Sequence, residues 1–379
     1  MVDELNKSAA IKVLHVTYDM RIGGTEQVIK SLVENADTSV VEMSIFCIES
    51  PLGPFANDLL ERGISIKAVS RQPGFDINLI GEIRKHIKDH DIDIVHCHQY
   101  TPYVYGVLAA AFTRARVVFT EHGRFYPDSS SWKRKLVNPW LHRITFATTA
   151  ISAATKTALA VFENLPEPDI QVVYNGIKAL QADPEQVNRL RDELKISADT
   201  VCLGTVARLD PIKNHPMMLK AFRRVLDSGI PAKLVIVGDG DERDRLAEMT
   251  RELGLESDVI FTGYDPKPQK YLALMDIYLL SSLSEGTSMT LLEAMSLGKP
   301  CVVTDAGGNP EIVEHKVTGL VTPNDNAEAF ADAIVNLCRN IQDKQSMGCK
   351  ARDRFDRLFS VESMVSAYQK LYLQALGNK

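Results

Sequence analysis

The stretch Tyr278-Leu279-Leu280-Ser281-Ser282-Leu283-Ser284-Glu285-Gly286-Thr287-Ser288-Met289-Thr290-Leu291-Leu292-Glu293-Ala294-Met295 reads as a strand, a loop and a helix in succession. Tyr278-Leu279-Leu280 has the character of a buried strand end. Leu291, Leu292, Met295 and Leu297 make a helical face that Gly298 and Pro300 bring to a stop. The loop between them is expected at the carboxyl edge of a sheet, where open α/β folds bind ligands. Backbone N–H groups around Gly286, Thr287, Ser288 and Met289, at a helix start, attract an anion. Glu285 and Glu293 stand beside them and accept hydrogen bonds from hydroxyls. A ligand offering both phosphate and many hydroxyls is a nucleotide sugar. A structural reading competes for one of the two carboxylates, because Thr290 and Glu293 have the spacing of a capping box. Glu285 precedes the cap and has no such alternative, whereas Gly286 also suits a plain turn.

Working outward, strand-like runs alternate with helical segments along the whole chain, the pattern of parallel sheets covered by helices. The first half offers Lys12–Tyr18, Val40–Cys47, Ser65–Val69, Ile92–Cys97, Arg116–Thr120, Phe146–Ile151 and Ile170–Tyr174. The second offers Thr200–Ala207, Lys233–Val237, Val259–Thr262, Ile277–Leu280, Cys301–Thr304 and Leu320–Val321. Each set suffices for its own Rossmann-like sheet, and two such domains facing each other make a cleft. The boundary is expected after Asn175-Gly176, giving domains 1–177 and 178–360. The closing helical segment, Val361 to Leu376, suits packing on either domain.

With 379 residues and 45% apolar content, the chain has material for two or three domain cores. A net charge of −6 argues against nucleic acid as a partner. The six cysteines are scattered without CxxC or zinc spacing, which fits a reducing cytosol. Met1 to Ile11 lacks the apolar core of a signal peptide, and no run approaches the roughly 18 apolar residues of a membrane span. A cytoplasmic protein is expected, meeting a membrane only from its inner face.

Further candidates sit at other strand ends. Arg208 and Lys213 flank the turn Asp210-Pro211 after the first strand of the second half, where a guanidinium and an ammonium suit a diphosphate; solvated surface charges are the competing account. Gly238-Asp239-Gly240 lacks the third glycine of a dinucleotide loop and carries repelling acids, so it reads as a turn near the nucleoside, and a dehydrogenase is disfavoured. In the first half, Gly23 and Gly24 open a helix with Thr25 as expected N-cap, and a tight structural turn explains them equally well. His96 and His98 face the same way at a strand end, but no third ligand lies nearby in sequence, so no metal is expected. His122 precedes a glycine turn at the end of the neighbouring strand.

Both tryptophans of the chain fall in Trp132-Lys133-Arg134-Lys135-Leu136-Val137-Asn138-Pro139-Trp140. Residues 124–143, from Arg124 to Arg143, hold five Lys/Arg against the single acid Asp128. That composition suits an interfacial helix on anionic lipid, or a site for an anionic acceptor. A core-facing helix with a basic outer side is the alternative, with Pro139 expected to interrupt it.

Taken in order, Gly23-Gly24-Thr25-Glu26, His96-Cys97-His98, Thr120-Glu121-His122-Gly123, Tyr174-Asn175-Gly176-Ile177, Arg208 with Lys213, Gly238-Asp239-Gly240, Glu285 with Glu293, and Gly307-Gly308-Asn309-Pro310-Glu311 are similar to the motifs of a known family. Over nearly its whole length the chain resembles the retaining glycosyltransferases of the GT-B fold, family four. The resemblance implies two Rossmann-like domains facing each other across a cleft, with the last helix crossing back to the N-terminal domain, so that 361–379 joins 1–177. It implies that Glu293 holds ribose hydroxyls, that Glu285 and His122 lie by the donor sugar, and that Arg208 and Lys213 hold the diphosphate. Backbone N–H groups from Thr287 to Leu291 assist, and Gly23 and Gly24 line the cleft below the phosphates. The implied reaction moves a hexose from a nucleoside-diphosphate sugar, UDP-sugar favoured, to a hydroxyl of a glycan or lipid-linked glycan acceptor held mainly by the N-terminal domain. No cofactor or metal is implied, with Glu285, His122, Arg208 and Lys213 carrying the catalysis. The run Thr120 to Arg124 looks most like enzymes of exopolysaccharide or surface-glycan biosynthesis. A nucleotide-sugar epimerase of the same fold and a non-catalytic nucleotide-sugar-binding subunit are the alternatives.

Overall fold

The computed structural model describes residues 10–123 and 131–377. The chain divides into two compact units, residues 1–176 with 361–379, and residues 177–360. Ile177, expected in the first unit, falls in the second, where its N–H donates to Phe359 O at 3.0 Å.

The first unit is built on seven parallel strands: β1 (Ile11–Thr17), β2 (Val41–Cys47), β3 (Ile66–Ala68), β4 (Ile94–His98), β5 (Arg116–Glu121), β6 (Ala147–Ala150) and β7 (Ile170–Val172), in the order β3-β2-β1-β4-β5-β6-β7. The second holds six: β8 (Val201–Val206), β9 (Ala232–Val237), β10 (Val259–Gly263), β11 (Ile277–Leu280), β12 (Cys301–Thr304) and β13 (Gly319–Thr322), in the order β10-β9-β8-β11-β12-β13. Every segment expected as a strand forms one. The central strands are buried on both faces, as parallel sheets covered by helices must be, which is why they read as continuous Val, Ile and Leu runs.

In each sheet the chain builds outward one way and then restarts beside its first strand. Strand order therefore reverses between β1 and β4, and again between β8 and β11. At such a switch point the two loops diverge to opposite faces, leaving a crevice at the carboxyl ends of the strands. The loops after β1, β8 and β11 carry the Gly23-Gly24, Arg208–Lys213 and Glu285 motifs, and β4 ends in His98.

The closing helix, Val361–Gly377, belongs to the first unit. Its helical spacing buries Met364, Tyr368, Leu371, Tyr372 and Ala375, and it packs against the helix Gly24–Asn35. Two tyrosine hydroxyls on this face reach polar groups of the sheet. Tyr372 bonds His96 Nδ1 at 2.7 Å, and Tyr368 bonds Thr120 Oγ1 at 3.2 Å.

Candidate nucleotide-sugar site

Two loops of the second unit are stitched together before any ligand arrives. After β8 the chain turns through a short 3-10 segment, Pro211–Lys213, to Asn214, whose φ of +50° lets the next helix, His215–Asp227, start at an angle. Leu283 N–H donates to Ile212 O at 2.8 Å, and Ser281 Oγ donates to Lys213 O at 2.7 Å, fastening the β11 loop to this turn. Lys213 Nζ then donates to Glu285 Oε1 at 2.6 Å, and Ser282 Oγ donates to the same oxygen at 2.6 Å. The Glu285 side chain is only 9% exposed. A half-buried lysine and a carboxylate 72 residues apart thus meet at the switch point.

The Glu285 backbone is held just as closely. Gly308 N–H donates to Glu285 O at 3.0 Å, and a Cβ on Gly307 would lie 1.9 Å from that same oxygen. Gly307 also has a φ of +53°, which glycine adopts at no steric cost. The Gly307-Gly308-Asn309-Pro310-Glu311 motif therefore buttresses the acidic loop. Gly238-Asp239-Gly240 does the same for Arg208: Leu209 N–H donates to Asp239 O at 2.9 Å, and a Cβ on Gly238 would strike Ala207 O at 1.9 Å.

The helix Met289–Ser296 is capped by Ser288, whose Oγ accepts from Leu291 N–H at 3.4 Å. This corrects the expected capping box at Thr290 and Glu293. Thr290 lies inside the first turn and bonds the Tyr278 hydroxyl at 2.7 Å, so Glu293 has no cap to serve. Its Oε2 is buried without a partner, and burial pushes its carboxyl up to about 7. A buried carboxylate oxygen left without a donor is the signature of an unfilled hydrogen-bonding site. The N–H groups of Met289 and Thr290 at the same helix start have no intrahelical acceptor.

Arg208 and Lys213 do not share one partner in this structure. Each is paired with its own carboxylate, Arg208 Nε with Asp210 Oδ2 at 2.7 Å and Lys213 with Glu285. Asp210 engages Nε of the largely exposed Arg208.

In the first unit Gly23, not Thr25, caps the helix Gly24–Asn35. Its backbone is extended and its carbonyl accepts from Gln27 N–H at 3.0 Å, while Thr25 is buried within the first turn. A Cβ on Gly24 would meet nothing within 4 Å. His96 and His98 are joined by His15, which sequence spacing could not supply because β1 and β4 pair across 81 residues, with His15 opposite His96. Ligand nitrogens of these three histidines lie within 4.8 Å of one another, the one group of that kind found among the described residues. However, both His96 nitrogens are already bonded, to Tyr372 OH and to Thr120 Oγ1 at 2.7 Å each. His15 Nδ1 and His98 Nε2 are 2.9 Å apart, a hydrogen-bond distance; nitrogens on a tetrahedral zinc sit about 3.3 Å apart.

The basic segment forms one helix, Trp132–Arg143, and Pro139 does not interrupt it. Proline removes the N–H that would have bonded Lys135 O, and Asn164 Nδ2 donates to that carbonyl instead, at 3.1 Å. The inward side buries Leu141 in the core and Asn138 in a polar network: Asn138 accepts from Tyr100 OH at 2.7 Å and donates to Glu163, which also pairs with Arg134 at 3.0 Å. Trp132 is 70% and Trp140 72% exposed, with Leu136 between them also exposed. One side of the helix thus faces the core, through Asn138 and Leu141, and the tryptophans lie on the outer side. Lys133 and Lys135 are exposed beside them, and Arg124 lies outside the described residues.

Comparison with known proteins agrees with this architecture. Residues 186–354 match the family model of glycosyl transferases group 1, and residues 22–179 that of glycosyltransferase family 4. The chain is 28% identical over 318 residues to N-acetyl-alpha-D-glucosaminyl L-malate synthase of Bacillus anthracis, covering 82% of each. It is 25% identical to the UDP-Gal:alpha-D-GlcNAc-diphosphoundecaprenol alpha-1,3-galactosyltransferase of Escherichia coli, over 97% of this chain and 98% of that one. The crystal structure of Anabaena HepE in complex with UDP superposes with a TM-score of 0.86 at 23% identity, covering 97% of this chain and 100% of that one. With two parallel Rossmann-like sheets and both family models matched in order, the chain belongs to the GT-B glycosyltransferases of family 4 and group 1.

Proposed function

We propose that this glycosyltransferase moves a hexose from a UDP-linked sugar to a hydroxyl of a glycan or lipid-linked glycan acceptor, with retention at the anomeric carbon and no metal ion, in exopolysaccharide or surface-glycan biosynthesis. The observation that carries the reading is the β8/β11 switch point, where Lys213 is held by Glu285 and the buried Glu293 Oε2 awaits a donor. A ribose diol supplies that donor. The E. coli relative's name includes a UDP-sugar and a diphosphoundecaprenol-linked acceptor, and HepE was crystallised with UDP, which supports the choice of donor and acceptor class.

As the glycosidic bond breaks, the sugar becomes oxocarbenium-like and negative charge grows on the departing diphosphate. Lys213, the Arg208 guanidinium and the N–H groups opening Met289–Ser296 supply the stabilising charge. Glu285, with one oxygen committed to Lys213 and Ser282, offers the other to the hydroxyls of the hexose. From the first unit, the family resemblance assigns His122 to the transferred sugar and Gly23 and Gly24 to the diphosphate side. The exposed Trp132–Trp140 face with its lysines is assigned to the inner, anionic face of a membrane, where a lipid-linked acceptor would be met.

The test is product analysis with a panel of UDP- and GDP-sugars. The expected result is transfer only when acceptor is present, unchanged by EDTA, with the donor's anomeric configuration retained in the product. Conversion of donor into an isomeric sugar nucleotide without acceptor would make the chain an epimerase and reject the reading.

A further inference from the structure

Tyr278 lies on β11 between Ile277 and Leu279, whose side chains join the core cluster that this strand shares with the helices His215–Asp227 and Ala327–Arg339. A strand turns successive side chains to opposite faces. Tyr278 therefore points the other way, toward the side on which Met289–Ser296 packs. It is fully buried, and its hydroxyl lies 2.7 Å from Thr290 Oγ1, the one hydrogen-bond partner of that hydroxyl among the described residues. The phenol is also within electrostatic reach of Glu285 and Glu293, the two carboxylates of the proposed site.

The two hydroxyls share one contact but not one environment. Burial pushes the Tyr278 phenol well above its ordinary range, so near neutral pH it keeps its proton. Were Thr290 the donor, that proton would be buried with no acceptor, which costs more than the contact returns. Tyr278 therefore donates and Thr290 Oγ1 accepts. A threonine hydroxyl has two lone pairs and one proton, so its own proton is still to be placed. Ser288 Oγ is 3.3 Å away, long for an O–H···O bond, and already receives Leu291 N–H. Unlike Tyr278, Thr290 is only half-buried. Its backbone N–H and that of Met289 have no intrahelical acceptor, and Glu293, three residues on, occupies the same side of the helix. The hydroxyl thus stands beside the free N–H groups, on the helix side that carries the unpartnered Glu293 oxygen.

We propose that Thr290 gives the diphosphate of the donor its hydroxyl as well as its N–H, and that Tyr278 is a positioning residue that holds this hydroxyl in the donating sense. A phosphate oxygen is a charged acceptor and takes the threonine proton in a stronger bond than the distant Ser288 oxygen offers. The phenol fixes the side chain from beneath and fills one of its lone pairs, so the proton is turned away from the sheet before the ligand arrives. Every residue of the arrangement belongs to the second unit.

The proposal rests on the reading of this helix start as the diphosphate grip, and the experiment separates the two. Calorimetric titration of the full chain with UDP and with uridine needs neither hexose nor acceptor. Thr290→Val keeps the shape and removes the hydroxyl. It is expected to bind UDP about tenfold more weakly, the worth of one hydrogen bond to a charged group, and uridine within about twofold of the parent chain. Thr290→Ser is expected to restore UDP affinity to within about twofold, and Tyr278→Phe to lower it about threefold. The double variant, Tyr278→Phe with Thr290→Val, leaves no buried hydroxyl stranded, and is expected to bind UDP as weakly as Thr290→Val alone, because the tyrosine acts only through the threonine. Unchanged UDP affinity in Thr290→Val, or an equal loss for UDP and uridine, overturns the contact with the diphosphate. Unchanged UDP affinity in Tyr278→Phe, or losses that add in the double variant, overturns the positioning role. A parent chain that binds neither UDP nor GDP removes the nucleotide-sugar reading itself, and this proposal with it.

Discussion

Glu293 is the residue whose environment departs furthest from its sequence-level explanation. Serving no cap, it is an acid in a buried place, which disfavours its charged form. Its native carboxyl titrates at about 7, above the unfolded value of about 4.3. Below the unfolded value both states hold the proton and no penalty exists. As pH rises between the two values the unfolded chain releases its proton first, so stability falls, and the loss is complete above about pH 7. Glu293→Gln is uncharged throughout. We expect the variant to unfold about 3 °C higher than the parent chain at pH 8 and at the same temperature near pH 4. UDP should raise the midpoint of the parent chain and raise that of the variant much less, because the amide lacks the second strong acceptor for a diol. Differential scanning fluorimetry across pH, with and without UDP, checks both statements; a variant stabilised equally by UDP would remove Glu293 from the site.

Local chemistry explains which elements could be read in advance. The strand, loop and helix from Tyr278 to Met295 were legible because burial, a break and helical spacing all lie within one short stretch. The cap was misplaced from Ser288 to Thr290 because both residue types cap equally well, and only the backbone decides. Pro139 read as an interruption because its compensation by Asn164 comes from 25 residues further along. His15 escaped for a similar reason, since its partners belong to a strand paired across the sheet. Two predictions belong here. Gly307→Ala should displace the Glu285 carbonyl and lower transfer by about tenfold or more, since the φ of +53° and the 1.9 Å approach leave a side chain no room. An Ala variant with normal kcat/KM would show that the loop does not need its buttress. Replacing Trp132 and Trp140 by Ala, and Lys133 and Lys135 by Gln, removes the exposed apolar and basic face without touching Asn138 or Arg134. Sedimentation with vesicles rich in anionic lipid should fall by about tenfold or more, since each surface lysine contributes about 1 kcal/mol. Unchanged sedimentation would detach this helix from any membrane role.

At the scale of the whole molecule, one architectural device accounts for the placement of the chemistry. Each sheet reverses its strand order beside its first strand, and each reversal brings together residues far apart in the chain, 72 residues for Lys213 and Glu285 and 83 for His15 and His98. The alternation of strands and helices disclosed the two sheets, and the motifs pointed to strand ends that lie at the two reversals. The pairings made across each reversal were hidden, because strand order is a property of packing. The central claim, that the β8/β11 reversal grips the donor and stabilises its leaving group, is tested most directly by kcat/KM for hexose transfer in Arg208→Ala and Glu285→Ala, with the fold of each checked by circular dichroism. The account predicts a loss of about 10²–10³-fold in each variant with the fold intact. Near-normal turnover by both folded variants would contradict it.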